Sequence, residues 1–323
     1  MTNMNGNNMS PRKRLALGIG LACLASTPLS AAQADGHGPT FTNPVIDSNF
    51  PDPCILNDRG VYYAYSTNSG PNLPAQMSTD LAHWTPLPDA MPSLPIWAKP
   101  GRTWAPEVVK NGSKYIAYFA AHNRQTDKQA LGVAVSDSPE GPFRATDEPL
   151  VDQAEIGGAI DPGTFTTSKG DRYLLWKNDG NSMNQDTWIW IQKLSKDGLS
   201  LEGASIKLIK QDQPWEWVLV EAPSVCWHDG KFYLFYSANF YGSCNYAMGY
   251  AVSSHLLGPY VKTTSTPWVS SSNDGCGPGG GGVFRTEDGA AYMAYHTWTK
   301  GPNSYRGMNI KRLDWNDGVP VLR

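Results

Sequence analysis

One pattern recurs five times along this chain, and it constrains the fold more than any other feature. Each copy is a turn followed by a strand-like run rich in aromatic residues. Aligned on one aromatic position, the copies lie 53, 58, 59 and 60 residues apart, at Tyr62, Tyr115, Tyr173, Phe232 and Tyr292. A further strand-like run precedes each copy, and a third follows several of them. A repeat of this length with three or four strands is typical of a propeller blade.

The repeat therefore predicts an all-β fold, a five-bladed β-propeller with four-stranded blades around a central channel. The chain holds 32 Gly and 25 Pro among its 323 residues, which suits many short strands joined by turns. A large β-sandwich whose hairpins are similar by chance is the alternative. The net charge is −3 and no basic run follows the first residues, so we expect no nucleic-acid partner.

The first residues have the pattern of a secretory signal. Basic residues at 12–14 precede an apolar run at 15–25, and small residues at the end of the segment suit cleavage after Ala34. The apolar run is too short to span a bilayer, so we expect no membrane association. The pattern predicts a signal peptide at residues 1–34, the propeller at residues 35–323, and a secreted protein, extracellular or periplasmic.

Export places the cysteines in an oxidising compartment, where disulfides are stable. Cys23 lies within the signal segment and leaves lipidation as an alternative to cleavage. Cys54 and Cys226 lie in apolar strand-like runs, which indicates buried thiols. Cys244 and Cys276 lie in polar, Gly-rich loops and are the candidate disulfide.

Proline in the first strand of each blade indicates where acidic residues converge. That strand lines the channel as an edge, where proline is tolerated. Four of the five first strands carry proline at the same place: Pro53, Pro106, Pro162 and Pro223. Asp52 and Asp161 directly precede two of these prolines, and Glu221 lies two places before the fourth. Three carboxylates from three blades are therefore expected at one end of the axis.

Carboxylates crowded in a partly dry cavity have pKa values that are pushed apart, so one serves as a base and another as an acid. Glycoside hydrolysis needs such a pair. A separation of roughly 6.5–9.5 Å leaves room for the attacking water and inverts the anomeric carbon, whereas roughly 5–5.5 Å implies retention. Carboxylates on different blades favour inversion. Glu221 lies in the apolar run LVEAPSV, which suits a protonated acid.

Several motifs, in order and at blade spacing, resemble glycoside hydrolase family 43. They are PDP, WAPE, IDPGTF, VEAPS, GPGGGGVF, YHTW and YRGMNIKRLDW, between residue 43 and the C-terminus. The resemblance implies that Asp52 is the general base, that Asp161 raises the pKa of the acid and orients it, and that Glu221 is the general acid. It implies that Arg306 reaches into the sugar pocket. It also places His296 near the channel centre, where members often hold calcium or another ion through water.

The resemblance implies an enzyme that acts on an oligosaccharide or polysaccharide. Reported activities of the family centre on α-L-arabinofuranosides, arabinan and β-xylosides. NFPDPCI followed by YYAYST is most similar to exo-acting arabinofuranosidases. We therefore expect a secreted, inverting, monomeric α-L-arabinofuranosidase acting on plant cell-wall polysaccharide, with no cofactor required for the chemistry. β-Xylosidase and endo-arabinanase are the alternatives within the family, and sucrose- or fructan-cleaving propellers a minor one. A sugar-binding propeller without turnover is the alternative of another class.

The remaining candidates are mostly aromatic. Trp104 heads a channel strand and is predicted to stack on a sugar ring in the pocket. Trp215 and Trp217 are weaker candidates for the same platform. Glu107 is interpreted as a structural hydrogen-bonding carboxylate. The GPGGGG run lacks the Lys-Ser/Thr of a phosphate loop and is interpreted as backbone passing close to the channel.

Overall fold

The computed structural model describes residues 41–323, so the predicted signal peptide lies outside the described residues. Within that range twenty strands form five four-stranded sheets, each built from consecutive strands. Blades one and two contain β1 (Cys54–Asp58), β2 (Val61–Tyr65), β3 (Ala75–Ser78), β4 (Thr85–Pro86), β5 (Ala98–Asn111), β6 (Lys114–Asn123), β7 (Gln129–Ser136) and β8 (Arg144–Ala145). Blade three contains β9 (Ala159–Thr166), β10 (Arg172–Asn178), β11 (Trp188–Leu194) and β12 (Leu201–Lys210).

Blades four and five complete the order. They contain β13 (Val220–His228), β14 (Lys231–Ala238), β15 (Ala247–Ser253), β16 (Val261–Lys262), β17 (Cys276–Arg285), β18 (Ala291–Trp298), β19 (Arg306–Asn316) and β20 (Val319–Leu322). Three single-turn 3-10 helices in the described range lie between strands, at Ala154–Ile156, Gly180–Met183 and Pro214–Glu216. All strand pairs within the sheets are antiparallel.

The first strand of each blade lies at the centre, and these strands form a closed ring. β1 neighbours β5, β5 neighbours β9, β9 neighbours β13, β13 neighbours β17, and β17 neighbours β1. The segment before β1 fastens the ring, because Ile46 and Met308 exchange backbone hydrogen bonds and the Asn43 side chain bonds both backbone groups of Ile310. The predicted five-bladed propeller is confirmed.

The repeated aromatic run is the second strand of each blade. Such a strand is buried on both faces, because successive side chains point toward the two neighbouring blades. Tyr62 packs with Phe284 of blade five, whereas the next residue, Tyr63, packs with Tyr115 of blade two. Five hydrophobic clusters of this kind lie between adjacent blades. The double burial explains why these strands read as continuous apolar runs rather than as alternating ones.

The turns between first and second strands are hairpins, as their Asn, Asp and Gly residues predict. Asp229 and Gly230 join β13 to β14 with φ values of 43° and 77°. Two consecutive residues with positive φ match the twist of the strands, which is why Asp-Gly is favoured there.

The cysteine interpretations are confirmed. Cys244 and Cys276 form a disulfide that ties the loop before β15 to the start of β17. Cys54 and Cys226 are buried thiols on the first strands of blades one and four. In residues 41–323, no helix is long and apolar enough to cross a membrane.

Candidate active site

The same unusual backbone position recurs in every blade, within the first strand in blades two to five and two residues before β1 in blade one. One residue there has a left-handed conformation, with φ between 42° and 61°, at Asp52, Ala105, Asp161, Ala222 and Gly280. Four of the five precede a proline, and the strand register shifts there in blades two to five. A non-glycine residue held in this region costs of order 1–3 kcal/mol and is often found at functional sites. The bulge turns the local side chains toward the end of the channel.

The recurring left-handed position explains why Glu221 lies one residue earlier in its blade than Asp52 and Asp161 do in theirs. In blades one and three the left-handed residue is itself the acid, Asp52 or Asp161, and aspartate tolerates that conformation comparatively well. In blade four the left-handed residue is Ala222, and the acid is the residue before it. Glu221 therefore projects from a neighbouring position, and its longer side chain reaches the same space.

The three acids line one cavity of about 340 Å³. Trp104 and Arg306 line it as well, so five of the six predicted site residues are brought together there. His296, the sixth, lies directly behind Asp52 and is fully buried. The axial channel is a second cavity that shares Asp52 and Asp161 with the first.

Asp52 is held in its ionised form. Its Oδ2 atom accepts a hydrogen bond of 2.6 Å from the Thr67 hydroxyl, and its Oδ1 atom lies 3.4 Å from an Arg306 guanidinium nitrogen. Burial alone would raise the pKa of Asp52, but the charge of Arg306, the adjacent His296 and the hydrogen bond from Thr67 together outweigh burial. The pKa of Asp52 is therefore held well below its ordinary value.

Asp161 and Glu221 form a pair on adjacent blades. Asp161 accepts a hydrogen bond of 3.0 Å from the Ala222 amide, next to Glu221 in the chain. Burial, and then the negative charge of Glu221, raise the pKa of Asp161 well above its ordinary value. Asp161 therefore keeps its proton at pH values where an isolated carboxyl group would lose it.

A buried lysine completes this side of the cavity. The Nζ atom of Lys177 lies 2.9 Å from Oε2 of Glu221 and 3.1 Å from Oδ1 of Asp179. Burial would lower the pKa of Lys177, but Glu221, Asp179 and Asp161 together raise it above its ordinary value, so the ammonium stays charged. The other oxygen of Glu221, Oε1, accepts a hydrogen bond of 2.7 Å from the Tyr246 hydroxyl.

The glycine run of β17 makes room for these groups, as its sequence predicts. A Cβ atom on Gly279 would lie 1.9 Å from the ring of Tyr246. A Cβ atom on Gly280 would lie 2.8 Å from both Oδ1 of Asp52 and Nδ1 of His296. Only glycine permits the backbone to pass this close to both sides of the cavity.

His296 is the residue beside which an ion in the channel was expected. Its Nδ1 atom lies 3.1 Å from the Asp52 amide nitrogen, and an amide can only donate. The same Nδ1 atom lies 3.3 Å from Oδ1 of Asp52. Burial, and then Arg306, lower the pKa of His296, which favours the neutral ring. Nε2 is buried with no hydrogen-bond partner among residues 41–323.

In the described residues, no group of three His, Cys, Asp or Glu side chains is arranged as a metal site. The calcium or other ion expected through water stays a prediction.

Aromatic side chains surround the opening. Phe240 and Tyr241 line the cavity together with Trp104, and both are about half exposed. The guanidinium of Arg306 lies over the rings of Tyr241 and Trp298, at 5.2 Å and 5.7 Å from their centroids. Arg306 is thus held between aromatic faces and the Asp52 carboxylate.

Other candidates lie outside the cavity. Glu107 accepts hydrogen bonds from the Thr164 amide and hydroxyl, at 3.1 Å and 2.6 Å, in agreement with its structural interpretation. Trp215 stacks against Tyr236 in the core between blades three and four. Trp217 is exposed and does not line the cavity.

The residues that line the cavity without being among the predicted site residues include Lys177, Tyr246, Phe240 and Tyr241. Lys177 had a detectable signal, because it is a charged residue inside the apolar run YLLWK and a buried charge needs a partner. Tyr246 and the Phe240-Tyr241 pair lie in a loop between β14 and β15, and loop positions carry no periodic signal.

The arrangement has two chemically different sides. Asp52, on blade one, is ionised and can accept a proton. On the other side, on blades three and four, the pKa of Asp161 is raised beside Glu221. Two titratable groups whose environments push their pKa values apart are the signature of an acid and a base that act on one bond.

Comparisons with known proteins agree with this chemistry. The model of Glycosyl hydrolases family 43 matches residues 41–320. An extracellular exo-alpha-(1->5)-L-arabinofuranosidase of Streptomyces avermitilis is 26% identical, over 95% of this chain and 70% of that protein. A probable arabinan endo-1,5-alpha-L-arabinosidase A of Aspergillus flavus is 28% identical, over 88% of this chain and 95% of that protein. The crystal structure of a thermostable family-43 glycoside hydrolase matches with a TM-score of 0.80 at 32% identity, over 88% of this chain and 96% of that chain.

Proposed function

The chain belongs to glycosyl hydrolases family 43, and from this premise we propose that it is a secreted, inverting α-L-arabinofuranosidase. It removes terminal arabinofuranosyl units from arabinose-containing plant cell-wall polysaccharide. The observation that carries the proposal is the two-sided cavity: the pKa of Asp52 is lowered on one side, and the pKa of Asp161, beside Glu221, is raised on the other.

Each carboxylate has one role in this proposal. Glu221 gives its proton to the glycosidic oxygen while the bond from the anomeric carbon to that oxygen breaks. Asp52 takes a proton from the water that attacks the anomeric carbon from the opposite face. Asp161 raises the proton affinity of the acid side and bonds the backbone beside Glu221. Both groups return to their starting states by proton exchange with solvent, so the chemistry requires no cofactor.

The positions of the blades support inversion. Glu221 is on blade four and Asp52 on blade one, and blade five lies between them. Base and acid thus stand on non-adjacent blades, which supports the separation of roughly 6.5–9.5 Å that leaves room for a water molecule. Proton NMR of the first sugar released should show the anomer of opposite configuration. Release of the same anomer would contradict inversion.

The shape of the cavity supports action on chain ends. Its volume, about 340 Å³, is at the lower end of the range of roughly 300–1,000 Å³ for ligand pockets, which favours a single terminal sugar. The half-exposed rings of Phe240 and Tyr241 and the side chain of Trp104 offer apolar faces to a sugar ring. The Streptomyces relative is named an exo-arabinofuranosidase.

Secretion is supported by the sequence of residues 1–34 and by relatives whose names include the word extracellular. Fractionation of cells that express the full chain should find the mature protein beginning at residue 35 outside the cytoplasm. A protein that retains residues 1–34 in the cytoplasm would contradict this part of the proposal.

The deciding experiment measures hydrolysis by residues 35–323 of p-nitrophenyl α-L-arabinofuranoside, p-nitrophenyl β-D-xyloside and linear arabino-oligosaccharides, beside Glu221→Gln. We expect arabinoside turnover in the wild type. In the variant, turnover should fall most on the oligosaccharides, because their leaving groups need the proton. Preference for the xyloside would indicate a β-xylosidase instead.

Endo-arabinanase is the second candidate, because the Aspergillus relative is named an endo-acting enzyme. Products decide between the two: an exo-acting enzyme releases arabinose from the first minutes, whereas an endo-acting enzyme first produces a ladder of oligosaccharides. If wild type and Glu221→Gln both bind sugar and neither turns it over, the protein is a sugar-binding propeller and the enzymatic proposal is wrong.

A further inference from the structure

Lys177 is a charged residue where the fold requires none. It lies in β10, with 1% of its side chain exposed, opposite Ile160 of the first strand. The positions that face the corresponding first-strand residue in the other blades are occupied by Thr67, Ala120, Ser237 and His296. A buried ammonium is costly unless it is paired. The other four blades fold without a lysine at this position, so the need for a buried charge there is local to the cavity.

Several titratable groups surround Glu221. Asp161 is on β9, Lys177 and Asp179 are on and just after β10, and Tyr246 precedes β15. Asp52 lies on the other side of the cavity, with His296 behind it. Among residues 41–323, Lys177 is the only cationic side chain in hydrogen-bond contact with Glu221.

We propose that Lys177 is a positioning residue for the general acid, which fixes Oε2 of Glu221 and stabilises the carboxylate that remains after proton donation. The inference rests on the proposed function. Before donation, the protonated carboxyl is neutral and interacts weakly with the ammonium. As the proton moves to the glycosidic oxygen, negative charge develops 2.9 Å from Nζ. An interaction that strengthens during the reaction lowers the barrier rather than only binding the substrate.

Asp161 and Lys177 then act in opposition on the same acid. The negative charge of Asp161 favours the protonated form, whereas the ammonium favours the ionised form. Asp179 contacts Lys177 on its other side and moderates its charge.

The test is the pH profile of kcat/KM on arabino-oligosaccharides for Lys177→Met. The basic limb reports loss of the acid's proton. Without the ammonium the carboxylate is less stable, so this limb should move to higher pH by about one unit or more. The value of kcat should fall at least about tenfold more on oligosaccharides than on p-nitrophenyl arabinoside, whose leaving group needs little proton donation. Lys177→Arg keeps the charge, so its basic limb should return at least partly to the wild-type pH.

Lys262→Met is the matched control. Lys262 is also a buried lysine paired with a buried glutamate, Glu216, at 2.8 Å, and it lies outside the cavity. Its removal should lower the unfolding midpoint without moving the pH profile. If both variants lose stability and neither moves the limb, Lys177 has a structural role only and the inference is wrong.

Asp179→Asn provides an independent test that does not depend on the folding of Lys177→Met. Removal of this acid leaves the ammonium more available to Glu221, so the basic limb should move to lower pH, opposite to the effect of Lys177→Met. An unchanged limb in an active Asp179→Asn enzyme would overturn the inference while leaving the proposed function intact. A wild type that hydrolyses none of the substrates would contradict the proposed function, and this inference with it.

Discussion

Two glutamates five positions apart in the chain have nearly the same partners and different surroundings. Glu221 accepts a hydrogen bond of 2.7 Å from Tyr246 and pairs with buried Lys177 at 2.9 Å. Glu216 accepts a hydrogen bond of 2.7 Å from Tyr236 and pairs with buried Lys262 at 2.8 Å. Each therefore combines a carboxylate, a phenol and an ammonium in the protein interior.

The two sites differ in what occupies the rest of the space. Glu216 is fully buried, and its Oε2 atom also accepts the amide hydrogens of Asp212 and Gln213, which caps the 3-10 helix Pro214–Glu216. Glu221 instead faces the cavity and a second acid, Asp161. A fully satisfied carboxylate stabilises the fold, whereas one that borders open space and a like charge is available for proton transfer.

The largest expected effect separates the two glutamates directly. Glu221→Gln should lower kcat on arabino-oligosaccharides by roughly 10²–10⁴-fold, which is the contribution of a general acid. Glu216→Gln should leave kcat of the folded enzyme unchanged and should lower the free energy of unfolding by about 1.5–3 kcal/mol, because the charged hydrogen bond to Lys262 is lost while Lys262 keeps its ion pair with Asp212. Steady-state kinetics and urea unfolding of both variants measure this. Equal losses of activity would contradict the distinction.

The two tyrosines that bond these glutamates allow the same comparison with smaller expected effects. Tyr246→Phe removes the hydrogen bond to Oε1 of Glu221 and should lower kcat by about tenfold, the effect of about 1.4 kcal/mol at the transition state. Tyr236→Phe removes the matching bond to Glu216 and should instead cost about 1.5–3 kcal/mol of stability at unchanged kcat. The comparison fails if Tyr236→Phe slows turnover as much as Tyr246→Phe does.

The opposite side of the cavity has its own pH dependence. Arg306 holds the pKa of Asp52 below its ordinary value, so Asp52 stays ionised as the pH falls. A base works only when it is ionised, and Arg306→Met removes the charge that lowers its pKa. The acid limb of kcat/KM should therefore move to higher pH, by about one unit, while the basic limb stays in place. A shift of the basic limb alone would indicate that Arg306 acts on the general acid and not on Asp52.

The smallest effect is expected for an exposed pair. Lys114 and Asp137 are bonded at the surface with most of their side chains in water. Solvent screens such pairs, so they contribute little to stability. Lys114→Met should leave both the unfolding midpoint and kcat unchanged. A clear loss of stability would indicate that burial is not what distinguishes the Lys177 and Lys262 pairs.

The sequence by itself was sufficient for the architecture and for the identity of the three acids. Blade number follows from the repeat, because each blade must bury two faces of its second strand and so repeats the same aromatic run. Proline at one place in four first strands marks the channel, since only an edge strand tolerates it there. The disulfide between Cys244 and Cys276 also followed, from their polar, Gly-rich surroundings.

Only the tertiary structure decided which groups act on each other. Lys177 is 44 residues from Glu221, and Arg306 is 254 residues from Asp52. Nothing local to Glu216 or Glu221 indicates which lysine and which tyrosine each of them meets. That depends on strand register, on the bulge at the left-handed residue of each blade, and on closure of the ring between β1 and β17. Partners in a propeller come from strands far apart in the chain, so the electrostatics of the site exist only once the blades have packed.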